Sequence, residues 1–141
     1  MGLNIVVTVF PVNHNSIHRK EDFLFGKVFR SITHGSPIEI GDTHCYLDIL
    51  HSSYVARVCQ NLSGDSIIGS DRMVFVNDFI RELYRSCNLE YEELVTESAG
   101  KWKYVPKNEY YLRDGIRYPY ESLVMDTVGE LKSRKVHPRM A

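Results

Sequence analysis

The first apolar run of the chain, Leu3 to Phe10, constrains the fold more than any other stretch. Five β-branched residues stand in a row from Ile5 to Val9, and Pro11 ends the run. A short run without polar alternation is typical of a strand buried on both faces, as inside a parallel α/β sheet. The alternative is a buried helical segment, which the β-branched composition and the proline disfavour. The run therefore predicts an α/β fold whose first strand needs neighbouring strands and a cover of helices.

Length, charge and cysteine content narrow the class of protein. The chain has 141 residues, 43% hydrophobic and 25% charged, which is typical of one globular domain spanning 1–141. A net charge of −1 disfavours nucleic-acid binding, which normally requires a basic face. We expect no membrane partner, because no apolar stretch is long enough to cross a bilayer and no signal peptide is recognised. Cys45, Cys59 and Cys87 are typical of reduced thiols in the cytoplasm.

Apolar periodicity and turn residues predict an alternation of helices and short strands. Glu21 and Asp22 suit the positive end of a helix dipole, and the apolar stripe that follows them stops at Gly35. Further helices are expected after the caps Ser52 and Ser53, after the cap Asn77, and near Glu121 to Arg134. Residues 97–109 are interpreted as a polar loop. Short strands are predicted at Pro37–Asp42, Cys45–Leu50, Ser66–Ser70 and Met73–Val76.

Several motifs occur in an order found in one enzyme family. Phe10-Pro11-Val12-Asn13 is similar to Arg-Pro-Phe-Asn, and the stretch from Leu47 to Arg57 matches Arg-Asp-Phe-Ile-His-Val-x-Asp-Val-Ala-Arg without a gap. Asn13-His14-Asn15-Ser16, followed by Glu21 to Val28, is close to an Asn-His-Glu-Ser loop before a Glu-Thr-Phe-Val-Thr-Arg-Lys-Ile helix. Ser66 to Ser70 resembles Tyr-Asn-Ile-Gly-Ser, and the spacing of Gly115, Pro119 and Leu123 resembles Leu-Gly-Trp-x-Pro-x-x-Ser-Leu. Together they resemble the C-terminal portion of the extended short-chain dehydrogenase/reductase family, which includes the sugar-nucleotide epimerases and dehydratases, nearest its GDP-mannose dehydratase branch.

The resemblance implies an α/β fold, namely the small substrate-binding lobe of such an enzyme, with short parallel strands and packed helices, lacking the Rossmann half. Two patterns that carry the family's chemistry do not occur in the sequence. One is the Gly-x-x-Gly-x-x-Gly phosphate loop, and the other is the Tyr-x-x-x-Lys pair that supplies the general acid/base. Tyr104-Val105-Pro106-Lys107 has the wrong spacing and contains a proline. We therefore expect no catalytic residue and no cofactor site in the isolated chain, with NAD(P) bound only if a separate Rossmann chain takes part.

By the same resemblance, Asn13, Phe23 and Lys27 are candidates for substrate binding. Asn13 would donate to a substrate phosphate, although an ordinary turn residue after Pro11 is an equal alternative. Phe23 and Lys27 lie on the helix that flanks the nucleotide in the family, although a lysine on an amphipathic helix is more often solvated. Leu47 stands where the family has an arginine that pairs with the pyrophosphate, and leucine cannot make that charged contact.

Other polar residues carry weaker hypotheses. Asp48 and His51 have the chemistry of an acid/base or metal pair, but the resemblance makes them part of the scaffold. His14, His18 and Asp22 are spaced so that one helical face could present them, and His44-Cys45 lies further along the chain. A closed set of zinc ligands does not occur at a recognised spacing, so no metal site is predicted.

Two functions of different classes follow from the resemblance. The first is the substrate-binding half of a split NAD-dependent nucleotide-sugar epimerase or dehydratase, inactive alone and completed by a separate Rossmann chain. The second is a non-catalytic interaction module or remnant that keeps the fold, which the replacement of the family's arginines by Phe10 and Leu47 favours. Because the strand Leu3–Phe10 would lack a neighbour on one edge, we also expect a homo-oligomer or pairing with a Rossmann chain.

Overall fold

Short strands and helices alternate along the chain. The computed structural model describes residues 6–11, 13–62, 64–70, 72–98 and 118–134. Among the helices of these ranges, none has the length and apolar character needed to cross a membrane. The elements are β1 (Val9–Pro11), β2 (Asn13–Asn15), α1 (Leu24–His34), β3 (Ile38–Ile40), β4 (Tyr46–Leu47), β5 (Ile49–His51), α2 (Ser52–Cys59), β6 (Ser66–Ile68), β7 (Val74–Phe75), α3 (Val76–Ser86), α4 (Tyr91–Leu94), β8 (Val95–Glu97) and α5 (Tyr120–Arg134).

The strands of the described ranges form four two-stranded pairs. β1 pairs with β6, β2 with β5 and β3 with β8, and all three pairs are parallel. The fourth pair, β4 with β7, is antiparallel. The sequence predicts one strand from Cys45 to Leu50, but the chain divides at Asp48 into β4 and β5. The physical reason is that the two short strands hydrogen-bond to different partners in opposite senses.

Helix α5 lies against both other long helices and contacts α1, α3 and β5. The apolar stripe predicted for α1 is confirmed, since all four of its side chains are buried: Phe25, Val28, Phe29 and Ile32. Gly35 ends α1 as predicted, with a left-handed φ of 64° that glycine adopts without steric cost. The fully buried core includes Val28, Ile32, Ile49, Leu50, Ile68, Phe79, Ile80, Leu83, Tyr84, Leu123 and Leu131.

The first strand differs from the expectation. β1 begins only at Val9, and residues 3–5 of the predicted strand lie outside the described ranges. Val6 is 88% exposed, so burial of this stretch on both faces is wrong for the part that is described. Within the described residues β1 has one neighbouring strand, β6, which pairs with its edge and does not cover its faces; burial on both faces requires elements packed above and below the strand.

The starts of three helices also differ from the sequence analysis. α1 begins at Leu24, and Glu21 stays outside the helix, where it pairs with Arg30. The cap of α2 is His51 rather than a serine, because its Nδ1 accepts the N–H of Ser53 at 3.1 Å. Asn77 lies inside α3, and its buried side chain bonds to tertiary neighbours instead of capping the helix.

Three elements have no counterpart in the sequence analysis, β2, α4 and β8. Asn13–Asn15, compared above with a loop, form a strand because they pair with β5. Glu97, assigned to a loop, ends β8. The rest of the predicted loop, residues 99–109, lies outside the described ranges.

Candidate functional site

A cleft of about 500 Å³ opens where β2, the segment before α1 and β4 come together. We call it the N-terminal cleft. Three residues singled out by the family resemblance, Asn13, Phe23 and Leu47, line it. Its lining consists of Pro11, Asn13, His14, Asn15, Arg19, Phe23, Leu24, Phe25 and Leu47.

Parallel pairing of β2 with β5 positions the asparagine side of the cleft. Asn13 pairs with Ile49 and Asn15 with His51. β2 is therefore held against a strand whose apolar residues, Ile49 and Leu50, are fully buried. Burial increases along β2, from the exposed Asn13 through the half-buried His14 to the buried Asn15. Asn13 therefore presents an amide, with donor and acceptor atoms, at the solvent side of the cleft.

The segment between β2 and α1 forms the opposite wall and is folded by local hydrogen bonds. The N–H of Arg19 donates to the carbonyl of Ser16 at 3.0 Å, and that of Phe23 donates to the carbonyl of Lys20 at 3.2 Å. The N–H of Ile17 donates to Glu130 Oε1 on α5 at 2.6 Å. Two tight turns and one tertiary anchor therefore hold this wall in place.

Arg19 is the cation of the cleft, and the sequence analysis did not single it out. Its guanidinium carbon lies 4.2 Å from the centre of the Phe23 ring, a distance at which the ring face attracts a cation. Among the described residues, no carboxylate lies within ion-pair distance of Arg19, and none of the described lining residues is acidic. The only sequence signal for this arrangement is an arginine four residues before an exposed phenylalanine. The charge balance of the cleft therefore favours an anionic ligand.

The structure brings together two of the three predicted binding residues. Asn13 and Phe23 both line the cleft, and Leu47 lies in it as well. Lys27 does not line the cleft: it is exposed on the first turn of α1, where its N–H donates to the carbonyl of Phe23 at 3.0 Å. The assignment of these residues to substrate binding stays a prediction.

Asp48 and His51 have the scaffold positions that the resemblance implies. Asp48 is buried and accepts the N–H of Ser70 at 3.0 Å and its hydroxyl at 2.6 Å, which ties β5 to the end of β6. His51 caps α2 with Nδ1, while its Nε2 lies 3.3 Å from Glu130 Oε1. Both side chains thus join secondary-structure elements, and neither lines the N-terminal cleft.

His14, His18 and Asp22 do not share a helical face, so this interpretation of their spacing is wrong. His14 lies in β2, His18 in a turn and Asp22 before the first residue of α1, so no helical face presents them together. Within the described ranges, the side chains close enough to share a metal ion belong to a different group, Asp42, His44 and Glu97.

Solved structures share this arrangement of elements. The chain matches dTDP-glucose 4,6-dehydratase from Bacillus anthracis in complex with NAD, with a TM-score of 0.64, 11% identity, and coverage of 90% of this chain and 44% of that one. It matches RMD from Pseudomonas aeruginosa complexed with NADPH, with a TM-score of 0.68, 14% identity, and coverage of 91% and 48%. It also matches UDP-N-acetylglucosamine 4-epimerase from Methanobrevibacter ruminantium in complex with UDP-N-acetylmuramic acid, with a TM-score of 0.61, 13% identity, and coverage of 91% and 46%.

These similarities confirm the fold class predicted from the sequence, short parallel strands with packed helices as in short-chain dehydrogenase/reductase structures. At such low identity they show the fold alone. The chain spans less than half the length of each of these structures. No protein-family model and no curated protein sequence matches the chain.

Proposed function

We propose that this chain is the substrate-binding part of an NAD-dependent nucleotide-sugar epimerase or dehydratase, corresponding to the C-terminal lobe of those enzymes. The observation that carries the proposal is the meeting of Asn13, Phe23 and Leu47 in one cleft that also holds Arg19 and no acidic lining residue among those described. The shared fold with two structures named as sugar-nucleotide enzymes supports it. The sequence motifs place the chain nearest the GDP-mannose dehydratase branch.

The diphosphate of a nucleotide sugar is the ligand group that suits the charge of the cleft. Leu47 provides no charge to it, but the guanidinium of Arg19 can form charge-assisted hydrogen bonds with phosphate oxygens. Stacking on Phe23 restricts the rotamers of Arg19, which lowers the entropy lost on binding. The amide of Asn13 donates a further hydrogen bond to a phosphate oxygen. In this proposal Arg19 carries the charge that the family motif places at the position of Leu47.

The chemistry requires groups that this sequence does not contain. A Gly-x-x-Gly-x-x-Gly loop and a Tyr-x-x-x-Lys pair are both lacking in the sequence, so a cytoplasmic Rossmann-type partner would supply NAD(P) and the general acid/base. The β1–β6 pair is a suitable docking surface, because a parallel pair is normally covered on both faces. Val6, which precedes β1, is 88% exposed. Alone, the chain would bind substrate without turning it over.

Calorimetric titration of the full chain with GDP-mannose, dTDP-glucose and UDP-N-acetylglucosamine tests the proposal. At least one of these is expected to bind, with the affinity falling at least about tenfold in Arg19→Ala, the loss of one charge-assisted contact. Arg85→Ala is the matched control, because Arg85 is an exposed arginine on α3 paired only locally with Glu82 among the described residues. Equal affinities in the two variants, or no binding of any of the three ligands, would contradict the proposal.

A non-catalytic interaction module is the second candidate, and Leu47 is the observation that favours it. A half-buried leucine on β4 has replaced a charged contact, while the buried apolar core is intact. This function predicts that all three nucleotide sugars fail to bind. It also predicts that a protein recovered with the chain from its native cells lacks a Rossmann phosphate loop. Recovery of a chain that contains this loop would favour the split enzyme instead.

A further inference from the structure

Asp42, His44 and Glu97 form a cluster at the carboxyl ends of two paired strands. β3 ends at Ile40 and leads into the loop that holds Asp42 and His44. β8 runs parallel to β3 and ends at Glu97, with Ile40 and Glu97 opposite each other in register. The parallel pairing therefore brings a carboxylate from a distant part of the sequence to the loop after β3. This cluster lies outside the lining of the N-terminal cleft.

The ligand atoms of this cluster lie at distances that suit a bound divalent ion. Nδ1 of His44 is 2.7 Å from Asp42 Oδ1 and 3.6 Å from Glu97 Oε2, and all three ligand atoms lie within 4.8 Å of one another. Tetrahedral zinc, bound at about 2.0–2.2 Å from each ligand, separates neighbouring ligand atoms by roughly 3.3 Å. The 2.7 Å contact is a hydrogen bond between His44 Nδ1 and Asp42 Oδ1, so zinc would replace the proton between these atoms and hold them farther apart.

Glu97 is held in the orientation that such a site needs. Its Oε1 accepts hydrogen bonds from the hydroxyl of Thr43 at 2.6 Å, the amide of Asn77 at 3.0 Å and the hydroxyl of Tyr91. Thr43 and Asn77 are themselves buried and bonded to each other. These donors occupy one carboxylate oxygen, and the other, Oε2, lies toward His44. Metal-binding carboxylates are commonly fixed by such outer hydrogen bonds.

The donor set and its charge indicate the kind of ion. Two carboxylates face one imidazole, so the cluster carries excess negative charge that a divalent cation would neutralise. One nitrogen and two carboxylate oxygens are ligands that zinc accepts, whereas calcium and magnesium prefer oxygen alone. The side chain of His44 is 60% exposed, which leaves a path for the ion and room for water as a fourth ligand.

We propose that Asp42, His44 and Glu97 bind a zinc ion that joins the loop after β3 to the end of β8. Such an ion would bind the folded state through residues that come together only on folding, so it would stabilise the protein. This site is independent of the proposed nucleotide-sugar function, because none of its residues lines the N-terminal cleft.

Competition between the full chain and a chromophoric chelator for Zn²⁺ tests the proposal. Asp42→Asn and His44→Ala are both expected to weaken binding at least about tenfold. His18→Ala and Cys59→Ser are the controls, because they remove an exposed imidazole and an exposed thiol outside the cluster. Both controls are expected to keep the affinity of the unaltered chain.

Thermal unfolding provides a second measurement on the same proteins. Saturating Zn²⁺ is expected to raise the Tm of the unaltered chain and of both controls, but not that of His44→Ala. His44 is exposed, so the fold of this variant is expected to survive, and its Tm without zinc verifies this. No zinc binding by the unaltered chain, equal zinc affinity in the unaltered chain and His44→Ala, or loss of affinity in a control instead would overturn the proposal.

Discussion

Gly26 on α1 and Lys20 in the preceding segment are in backbone contact that leaves no room for a side chain. A Cβ placed on Gly26 would lie 1.9 Å from the carbonyl oxygen of Lys20 and 2.9 Å from that of Arg19. The glycine thus allows the wall of the N-terminal cleft to rest directly on α1. In the helix motif that this stretch resembles, an arginine stands at the position of Gly26, so the close approach is a feature of this sequence.

Gly26→Ala is expected to destabilise the protein by about 1–3 kcal/mol, because a backbone atom must move to admit the methyl group. Urea unfolding measures this loss. Gly129→Ala is the control, since a Cβ on Gly129 in α5 meets nothing within 4 Å. This second change is expected to stabilise the chain by about 0.5–1 kcal/mol through helix propensity. Equal effects of the two alanines would show that the contact at Gly26 carries no constraint.

Two buried tyrosines are expected to respond differently to removal of the hydroxyl. Tyr84 donates to Ser31 Oγ at 2.7 Å, so Tyr84→Phe should cost about 1–2 kcal/mol. The hydroxyl of Tyr54 is buried without a hydrogen-bond partner among the described residues. Tyr54→Phe should therefore leave the free energy of unfolding unchanged or raise it slightly. A loss in Tyr54→Phe as large as that in Tyr84→Phe would contradict this comparison, and chemical denaturation measures both.

Stability is expected to fall at alkaline pH because burial raises the pKa of Tyr84 to about 12. Burial and hydrogen bonds to carboxylates also raise the pKa of Tyr91 and of Tyr118. Unfolded tyrosines ionise near pH 10, whereas the folded hydroxyl of Tyr84 stays protonated to a higher pH. The unfolded state then binds fewer protons, so stability is constant below about pH 10 and decreases as the pH rises toward 12.

Urea unfolding at pH values between 9 and 11.5 measures this dependence. Tyr84→Phe is expected to show a shallower decline than the unaltered chain, although it begins from a lower stability. An identical slope in both proteins would exclude Tyr84 as a source of the alkaline loss.

Restoring the arginine at position 47 is expected to strengthen ligand binding. A guanidinium on β4 would add a charged contact to a diphosphate in the N-terminal cleft. Leu47→Arg should therefore tighten nucleotide-sugar binding by about 1.5–3 kcal/mol, roughly tenfold to a hundredfold in Kd. Tyr46→Arg adds the same charge on the opposite face of the strand and should have little effect. Titration calorimetry that finds both variants unchanged would exclude the cleft as the diphosphate site.

The purified chain is expected to self-associate through the edge of β1. Among the described residues β1 has one strand neighbour, β6. Val6, three residues before β1, is 88% exposed, and Ile67 on β6 is 38% exposed. An apolar strand edge of this kind promotes pairing with another chain. Val6→Lys should shift the sedimentation of the protein toward the monomer without lowering its Tm. A monomeric unaltered chain at high concentration would refute this expectation.

Local features of the fold were predictable from the sequence. The apolar stripe and the glycine stop of α1 depend on residues within a few turns of one another, so periodicity alone identifies them. The motifs also identified Asn13, Phe23 and Leu47 as residues of interest, because each stands at a fixed position of a family pattern. Helix caps were less predictable, since a histidine at the end of β5 caps α2 in place of a serine, and Asn77 bonds to a distant part of the chain.

The amino-acid sequence by itself determined the fold class, the helix stripes and the absence of a phosphate loop and a Tyr-x-x-x-Lys pair. Only the tertiary structure decided which polar side chains meet. Arg19 belongs to the N-terminal cleft because a turn stacks it on Phe23, and Glu97 meets His44 because β8 pairs with β3 in one register. Contacts of this kind depend on which strand pairs with which, and pairing depends on burial across the whole core rather than on neighbouring residues.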